Sequence, residues 1–104
     1  MPIKVSPARR AHILDGDATG GGHGPGRMIS GKTEFPATLA DDEIIDGIEV
    51  IANDPTSYPG SVIPTSPGRY KISGSIKGVR TTVIAEPAAA EVISAWPEGV
   101  LRNP

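Results

Sequence analysis

The chain has 104 residues, a formal net charge of −2 and no cysteine. This length predicts one domain over residues 1–104, and the lack of cysteine excludes disulfides and thiolate metal sites. An apolar fraction of 38% and a charged fraction of 21% are typical of a soluble globular protein. There are too few long apolar segments for a membrane span.

A slightly negative charge argues weakly against a nucleic-acid-binding protein, because such proteins usually carry an excess of Lys and Arg. The charges are unevenly distributed, however. Six of the 12 acids lie within residues 41–54, and all 10 Lys and Arg residues lie outside this segment. A basic surface opposite an acidic helix is compatible with phosphate binding at low net charge.

The first half of the chain predicts two helices separated by a glycine-rich loop. Ser6 followed by Pro7 is a helix-start pattern, and it predicts a helix over residues 7–14. Residues 16–31 contain seven glycines, which exclude regular structure and predict a flexible or ligand-shaped loop. Apolar residues at three- and four-residue spacings then predict a helix over 39–52 with an acidic opposite face.

The second half predicts a loop and then strands. Residues 55–68 contain four prolines and are predicted to form a surface loop. Alternation then predicts strands over 70–76, 79–85 and 92–96, the first two joined by a turn at Lys77-Gly78 and the last with Val92, Ser94 and Trp96 alternating. Two helices followed by a three-stranded antiparallel meander predict the α+β fold class.

The two histidines, His12 and His23, are the candidate catalytic residues. An imidazole has a pKa of about 6.5, so both protonation states are populated near neutral pH. For RNA, one imidazole can take the proton of the ribose 2′-hydroxyl while the other protonates the leaving 5′-oxygen, with no metal required. The alternative is that both are ordinary residues, one half-buried and one exposed to solvent.

The glycine run that precedes His23 supports the functional interpretation. Glycine allows backbone N–H groups to approach a phosphate closely, and Gly22 is the predicted donor. The alternative is a plain flexible linker. The spacing of the glycines excludes a dinucleotide fingerprint and a P-loop.

Three other side chains are candidates for the same site. Lys32 could hold a phosphate, but a lone lysine is equally often a solvated surface group. Ser94 could bind a phosphate oxygen or orient an imidazole, although a strand serine usually has no special role. Trp96 could stack on a base, although the single tryptophan of a small domain usually belongs to the core.

Taken together and in order, these segments resemble the bacterial EndoU nuclease domain, the C-terminal toxin module of polymorphic toxins and contact-dependent inhibition effectors. The resemblance covers nearly the whole chain. It rests on HILDGD at 12–17, the glycine run ending in His23, GKTEFP at 31–36, the helix and its end at 41–55, Gly78-Val79, and ISAWP at 93–97.

The resemblance implies a fold of the barnase-EndoU-colicin-RelE type, with N-terminal helices packed on a twisted antiparallel sheet. It also implies metal-independent RNA cleavage that leaves a 2′,3′-cyclic phosphate and a 5′-hydroxyl. It implies that His12 and His23 are the catalytic pair. Ser94 stands where threonine is expected, so the hydroxyl is kept. Trp96 stands where tyrosine is frequent, so the phenol is lost while the aromatic face and one N–H donor remain. Lys32 could fill the role of the lysine found in animal and viral relatives.

The resemblance also implies a biological setting. The domain is expected to be part of a larger secreted or cell-surface effector, to act in the cytoplasm of a target cell with transfer RNA as its substrate, and to be neutralised by a cognate immunity protein. That partner is expected to block the histidine cleft or to dock on the acidic helix. No cofactor, metal or membrane insertion is expected.

Two other functions stay open at this point. A non-catalytic nucleic-acid-binding or protein-binding module on the same fold would fit the low net charge and the Ser94 and Trp96 departures. A metal-dependent phosphodiesterase is less well supported, because two histidines without cysteine do not form a ligand pattern.

Overall fold

The computed structural model describes residues 2–54, the backbone of 61–62, and residues 68–104. The elements are α1 (Pro7–Asp15), α2 (Asp41–Asn53), β1 (Ser61–Val62), β2 (Tyr70–Ile76), β3 (Val79–Glu86), a short 3₁₀ helix (Pro87–Ala89) and β4 (Glu91–Pro97). The strands form one antiparallel sheet in the order β1-β2-β3-β4, and both helices pack on it. The predicted α+β class is confirmed.

Helix α1 begins where the sequence predicts. The Ser6 hydroxyl accepts a hydrogen bond from the Arg9 N–H at 3.2 Å, and Pro7 occupies the first helical position. The helix extends one residue beyond the predicted 7–14 and ends at Gly16, which has a φ of 84°. His12 lies in its last turn and is thereby fixed on the sheet side of the helix.

Helix α2 covers the predicted segment but begins two residues later than expected. Its first turn carries three acids, where negative charge stabilises a helix N-terminus, and the Glu43 carboxylate accepts from the Ala40 N–H at 3.0 Å. Ile44, Ile48 and Ile51 are buried along one face. Within the part of the chain that the structure describes, no helix is both long and apolar enough to cross a bilayer.

Two glycines set the close approach of α2 to the sheet. A Cβ on Gly47 would lie 2.7 Å from Ile76, and one on Gly74 would lie 2.5 Å from Ile51. Both distances are far below van der Waals contact, so the helix backbone rests almost directly on β2. The apolar residues of both helices and the sheet therefore share one buried core.

Strands β2 and β3 form the predicted hairpin. Ile76 pairs with Val79, and the two turn residues Lys77 and Gly78 have φ angles of 46° and 84°, as a twisted two-residue turn requires. The predicted loop over 55–68 lies largely outside the described residues. Within it, Ser61–Val62 pairs with β2 and adds an edge strand that the sequence did not predict.

Strand β4 contains a β-bulge that decides which side chains reach the candidate site. Ser94 pairs with Ile84 and Val92 with Ala85, so one extra residue stands between Val92 and Ser94. Val92 and Ala95 are fully buried, whereas Ser94 and Trp96 are half-buried. The predicted alternation of Val92, Ser94 and Trp96 on one face is therefore wrong, because the bulge transfers the last two to the other face.

Candidate active site

A cleft of about 510 Å³ lies between the end of α1, the glycine loop and β4. Five of the six residues predicted from the sequence line it: His12, His23, Lys32, Ser94 and Trp96. His12 and Ser94, which are 82 positions apart in the sequence, are in direct contact there. The fold thus places these five residues around one open space.

His12 is held by a carboxylate on one side of its ring and faces a hydroxyl on the other. The residue is 7% exposed, and its Nδ1 lies 3.0 Å from Asp17 Oδ1. Since a carboxylate only accepts, Nδ1 carries a proton and donates it. Nε2 points the other way and lies 3.3 Å from the Ser94 hydroxyl. The ring orientation is therefore fixed before any substrate binds.

Asp17 is itself fixed by a tight turn with Thr19. The Thr19 hydroxyl and N–H both donate to Asp17 Oδ1, at 2.6 and 2.8 Å. These two hydrogen bonds, followed by the one from His12, lower the pKa of Asp17 to about 2. The carboxylate beside His12 is therefore ionised at every pH at which the protein would act.

The His23 ring is also fixed by a hydrogen bond at Nδ1, but its acceptor is a backbone carbonyl and not a carboxylate. Its Nδ1 lies 2.7 Å from the Thr33 carbonyl oxygen, so Nδ1 again carries the proton and Nε2 is the free nitrogen. Burial lowers the pKa of His23 below its ordinary value of 6.5, and the positive charges of Lys32 and Arg102 lower it further. His23 is therefore predominantly neutral at pH 7.

The glycine run brings His23 to the end of α1. The N–H groups of Gly22, His23 and Gly24 donate to the carbonyls of His12, Ile13 and Leu14 at 3.0, 2.7 and 2.9 Å. These carbonyls belong to the last turn of α1, where helix donors run out, and of the three only the His12 carbonyl also accepts from the Gly16 N–H, at 3.1 Å. The loop thus completes the helix end and sets His23 beside it.

Glycine is required at this approach. A Cβ on Gly21 would lie 1.9 Å from the His12 carbonyl oxygen, which no side chain could tolerate. The prediction that the Gly22 N–H binds phosphate is wrong, because that N–H is bonded to His12. Gly21 lines the cleft, and among the described residues its N–H has no acceptor. Gly21 replaces Gly22 as the candidate donor of the loop.

The cleft carries positive charge. Its lining includes Arg9, Lys32 and Arg69 and, among the described residues, no Asp or Glu. Glu91 holds Arg9 at 2.9 Å and Glu86 holds Arg69 at 3.1 Å. Lys32 has no carboxylate within 4 Å in the described part of the chain, so its ammonium group is available to an anion.

Trp96 is half-buried at the edge of the cleft, with its indole fixed from two directions. Its Nε1 donates to Glu98 Oε1 at 2.8 Å, and the Lys71 ammonium group lies 5.9 Å from the ring centroid. The indole N–H, which the sequence suggested as a donor to a substrate, is therefore already bonded to Glu98. The aromatic surface is what Trp96 can present.

Sequence reasoning missed the residues that support the histidines. Asp17 and Thr19 form a local Asp-x-Thr turn, a signal that the sequence does contain. The Thr33 carbonyl, Arg9 and Arg69 gave no such signal, because their roles depend on how distant segments pack. No group of three or more possible metal ligands occurs among the residues described.

Comparison of the chain with protein-family models, with curated proteins and with solved structures found no match. The case for a function therefore depends on the geometry of the cleft.

Proposed function

We propose that this protein is a metal-independent endoribonuclease that cleaves RNA by attack of a ribose 2′-hydroxyl on the adjacent phosphorus. One observation carries the proposal. Two imidazoles, each with its Nδ1 fixed by an acceptor, share a cleft lined by three cationic side chains and, in the described residues, by no carboxylate. Such a cleft suits a phosphodiester and the proton transfers that its cleavage needs.

His23 is the general base in this proposal. A base must be unprotonated when substrate binds, and burial together with Lys32 keeps the pKa of His23 below 6.5. Nε2 takes the proton from the 2′-hydroxyl, and the oxygen attacks phosphorus. The Thr33 carbonyl keeps Nδ1 protonated, so Nε2 is the nitrogen with the lone pair.

His12 is the general acid. As the new O2′–P bond forms, the P–O5′ bond breaks, and Nε2 of His12 delivers a proton to O5′. An imidazolium at His12 faces the Asp17 carboxylate at 3.0 Å, whereas one at His23 would face Lys32 and Arg102. The products are a 2′,3′-cyclic phosphate and a 5′-hydroxyl, with both histidines in the opposite protonation state.

The phosphate itself is bound by groups that line the same cleft. Lys32 offsets the negative charge that grows on the phosphoryl oxygens, and the Gly21 N–H and the Ser94 hydroxyl are the neutral donors. Ser94 lies 3.3 Å from His12 Nε2, so it also keeps that nitrogen at the position of the leaving oxygen. Trp96 offers its ring to a base.

The proposal includes the family and setting that the sequence motifs suggest: an EndoU-type toxin domain with the barnase-EndoU-colicin-RelE fold, delivered by a secreted or cell-surface effector into a target cell. Transfer RNA is the proposed substrate. A cognate immunity protein is the proposed inhibitor, docked over the histidine cleft or on the acidic face of α2. The two helices packed on an antiparallel sheet are consistent with this fold.

Incubation with total RNA in excess EDTA tests the proposal. The wild-type protein should produce fragments ending in 2′,3′-cyclic phosphate, and His12→Ala and His23→Ala should each lower the rate by about 10³-fold, within the range expected for a lost general acid or base. Asp46→Asn, a change at an exposed carboxylate on α2, should leave the rate unaltered.

Three results would contradict the proposal. Undiminished cleavage by either histidine variant would remove that histidine from the mechanism. Loss of cleavage in EDTA would indicate a metal-dependent phosphodiesterase. RNA binding with no strand scission would indicate a binding module. Circular dichroism of each variant establishes that the loss of rate is not a loss of fold.

A further inference from the structure

The His23 ring is anchored by Thr33, which lies outside the helices and the named strands. The Thr33 carbonyl oxygen lies 2.7 Å from His23 Nδ1, and the Thr33 hydroxyl oxygen lies 3.2 Å from the same nitrogen. Both contacts come from one residue, so a displacement of Thr33 would change them together. The geometry of the proposed base therefore depends on what holds the segment 29–34 in place.

The two sides of Thr33 are held in different ways. After it comes Phe35, whose side chain is 1% exposed and whose N–H donates to the His23 carbonyl at 2.8 Å. Before it the chain makes a turn, in which the Lys32 N–H donates to the Ile29 carbonyl at 3.2 Å. None of residues 28–32 is buried, so this turn has to be held by hydrogen bonds more than by packing.

Asn103 bonds to this turn through both its backbone and its side chain. Its N–H donates to the Lys32 carbonyl at 2.8 Å, and its carbonyl accepts from the Gly31 N–H at 2.9 Å. Its side-chain Nδ2 donates to the Ile29 carbonyl and to Glu34 Oε2, each at 2.9 Å. These two acceptors stand at the two ends of the segment 29–34, so a single amide group ties the ends together.

The side-chain amide of Asn103 suits both of its acceptors. Nδ2 carries two hydrogens, one for the neutral carbonyl and one for the carboxylate of Glu34. That carboxylate is ionised at neutral pH, because hydrogen bonds from the Gly26 N–H, the Met28 N–H and then Asn103 lower the pKa of Glu34. Asn103→Asp would keep the shape of the side chain but would direct a second carboxylate at Glu34.

We propose that Asn103 is a positioning residue, which fixes the Thr33 carbonyl and thereby keeps the proton of neutral His23 on Nδ1. The same hydrogen bonds hold Lys32 at the cleft. Without the amide, the Thr33 carbonyl moves away from Nδ1, and the proton is free to occupy Nε2, the nitrogen that has to accept the substrate proton. The catalytic consequence rests on the proposed endoribonuclease function, whereas the tautomer is a property of the protein alone.

Imidazole ¹⁵N–¹H correlation NMR at about pH 8, above the ordinary imidazole pKa, tests the inference without any substrate. In the wild type, His23 should be the Nδ1–H tautomer. Asn103→Ala keeps the backbone hydrogen bonds and removes the amide, and it should give a mixture of both tautomers at His23. The His12 ring, which is anchored by Asp17, should not change. Leu101→Ala, at a 94% exposed side chain of the same segment, should leave both rings as in the wild type.

Asn103→Asp is the second variant, because it keeps the size of the side chain and replaces only the donor group. It should produce the same mixture of tautomers at His23. In RNA cleavage, both Asn103 variants should lower kcat by about tenfold, the approximate contribution of one hydrogen bond that orients the base. Leu101→Ala should leave kcat unaltered.

The outcomes separate this inference from the proposed function. An Nε2–H ring in the wild type, or an Nδ1–H ring in both Asn103 variants, would overturn the positioning role whether or not the protein cuts RNA. Unfolding of both variants, or an equal disturbance of His12, would also overturn it, because Asn103 would then support the fold as a whole. Mixed tautomers at His23 alone, in a protein that cuts no RNA, would support the role of Asn103 and contradict the nuclease.

Discussion

His12 and His23 have the same hydrogen-bonding arrangement in opposite electrostatic surroundings. Nδ1 of His12 lies 3.0 Å from Asp17, and Nδ1 of His23 lies 2.7 Å from the Thr33 carbonyl oxygen. In both rings, Nε2 is the nitrogen that is not used by this anchoring hydrogen bond. The partner of His12 is a full negative charge, whereas His23 has a neutral carbonyl and two nearby cations. The two rings therefore differ in their surroundings: a carboxylate lies against His12, whereas positive charge near His23 opposes protonation of that ring. In the proposed mechanism, this difference is the basis for assigning the acid to His12 and the base to His23.

The two positions also differ in how the chain holds them. His12 is carried by a capped helix, whereas His23 lies in a segment with no regular structure. That segment is nevertheless well bonded: three consecutive N–H groups donate to the last turn of α1, and the Phe35 N–H donates to the His23 carbonyl at 2.8 Å. A glycine-rich loop can therefore fix the position of a side chain when its backbone N–H groups are hydrogen-bonded to a neighbouring helix end.

Among changes to the groups that surround the two histidines, replacing the charge beside His12 should have the largest effect. Asp17→Asn keeps an oxygen acceptor for Nδ1 but removes the negative charge that faces the imidazolium. The rate of RNA cleavage is expected to fall by about 10- to 100-fold, part of the contribution of a positioned acid. The measurement is kcat/KM on a defined RNA, with Asp46→Asn as the matched change. An equal, small effect of both variants would show that Asp17 has no special role.

The close approach of the loop to α1 can be tested by a pair of glycines with matched backbone angles. Gly21 and Gly26 have φ angles of 78° and 77°, but only Gly21 has a neighbour where a Cβ would go. Gly26→Ala should lower the free energy of unfolding by about 1 kcal/mol through backbone strain alone. Gly21→Ala should cost about 2 kcal/mol more, because the His12 carbonyl must move.

The free energy of unfolding of both glycine variants is measured by urea denaturation. Equal losses would mean that the loop does not lie against the helix end as described.

The smallest expected change is a shift in pH dependence at His23. A base with a lowered pKa stays neutral at lower pH, so the acid limb of the kcat/KM profile should have its midpoint below 6.5. Lys32 is one cause of the lowering, after burial. Lys32→Gln should therefore move the midpoint up, besides reducing the rate. Lys4→Gln, at an exposed lysine, should not move it.

Local sequence signals predicted much of the fold. The Ser6-Pro7 pair, the apolar spacing of α2 and the Lys77-Gly78 turn each depend on a few adjacent residues, and the structure contains all three. The β-bulge after Val92 could not be predicted in this way, since it depends on the register between β3 and β4. Edge strand β1 likewise exists only through pairing with β2.

The candidate site shows the same division. The sequence indicated the side chains by type and order, and five of them line one cleft. It misjudged Gly22, because whether an N–H is free depends on which carbonyl it meets after folding. It also could not indicate Asn103, whose side-chain amide meets Ile29 and Glu34, 74 and 69 positions earlier in the chain, only in the folded protein.

The central claim is that His12 acts as the general acid and His23 as the general base. An RNA with sulfur in place of the bridging O5′ tests this claim most directly. A thiolate leaves without protonation, since a thiol has a pKa of about 8.5, far below that of an alcohol. The account predicts that this substrate restores cleavage by His12→Ala to nearly the wild-type rate and leaves His23→Ala inactive. Rescue of His23→Ala instead, or of neither variant, would contradict it.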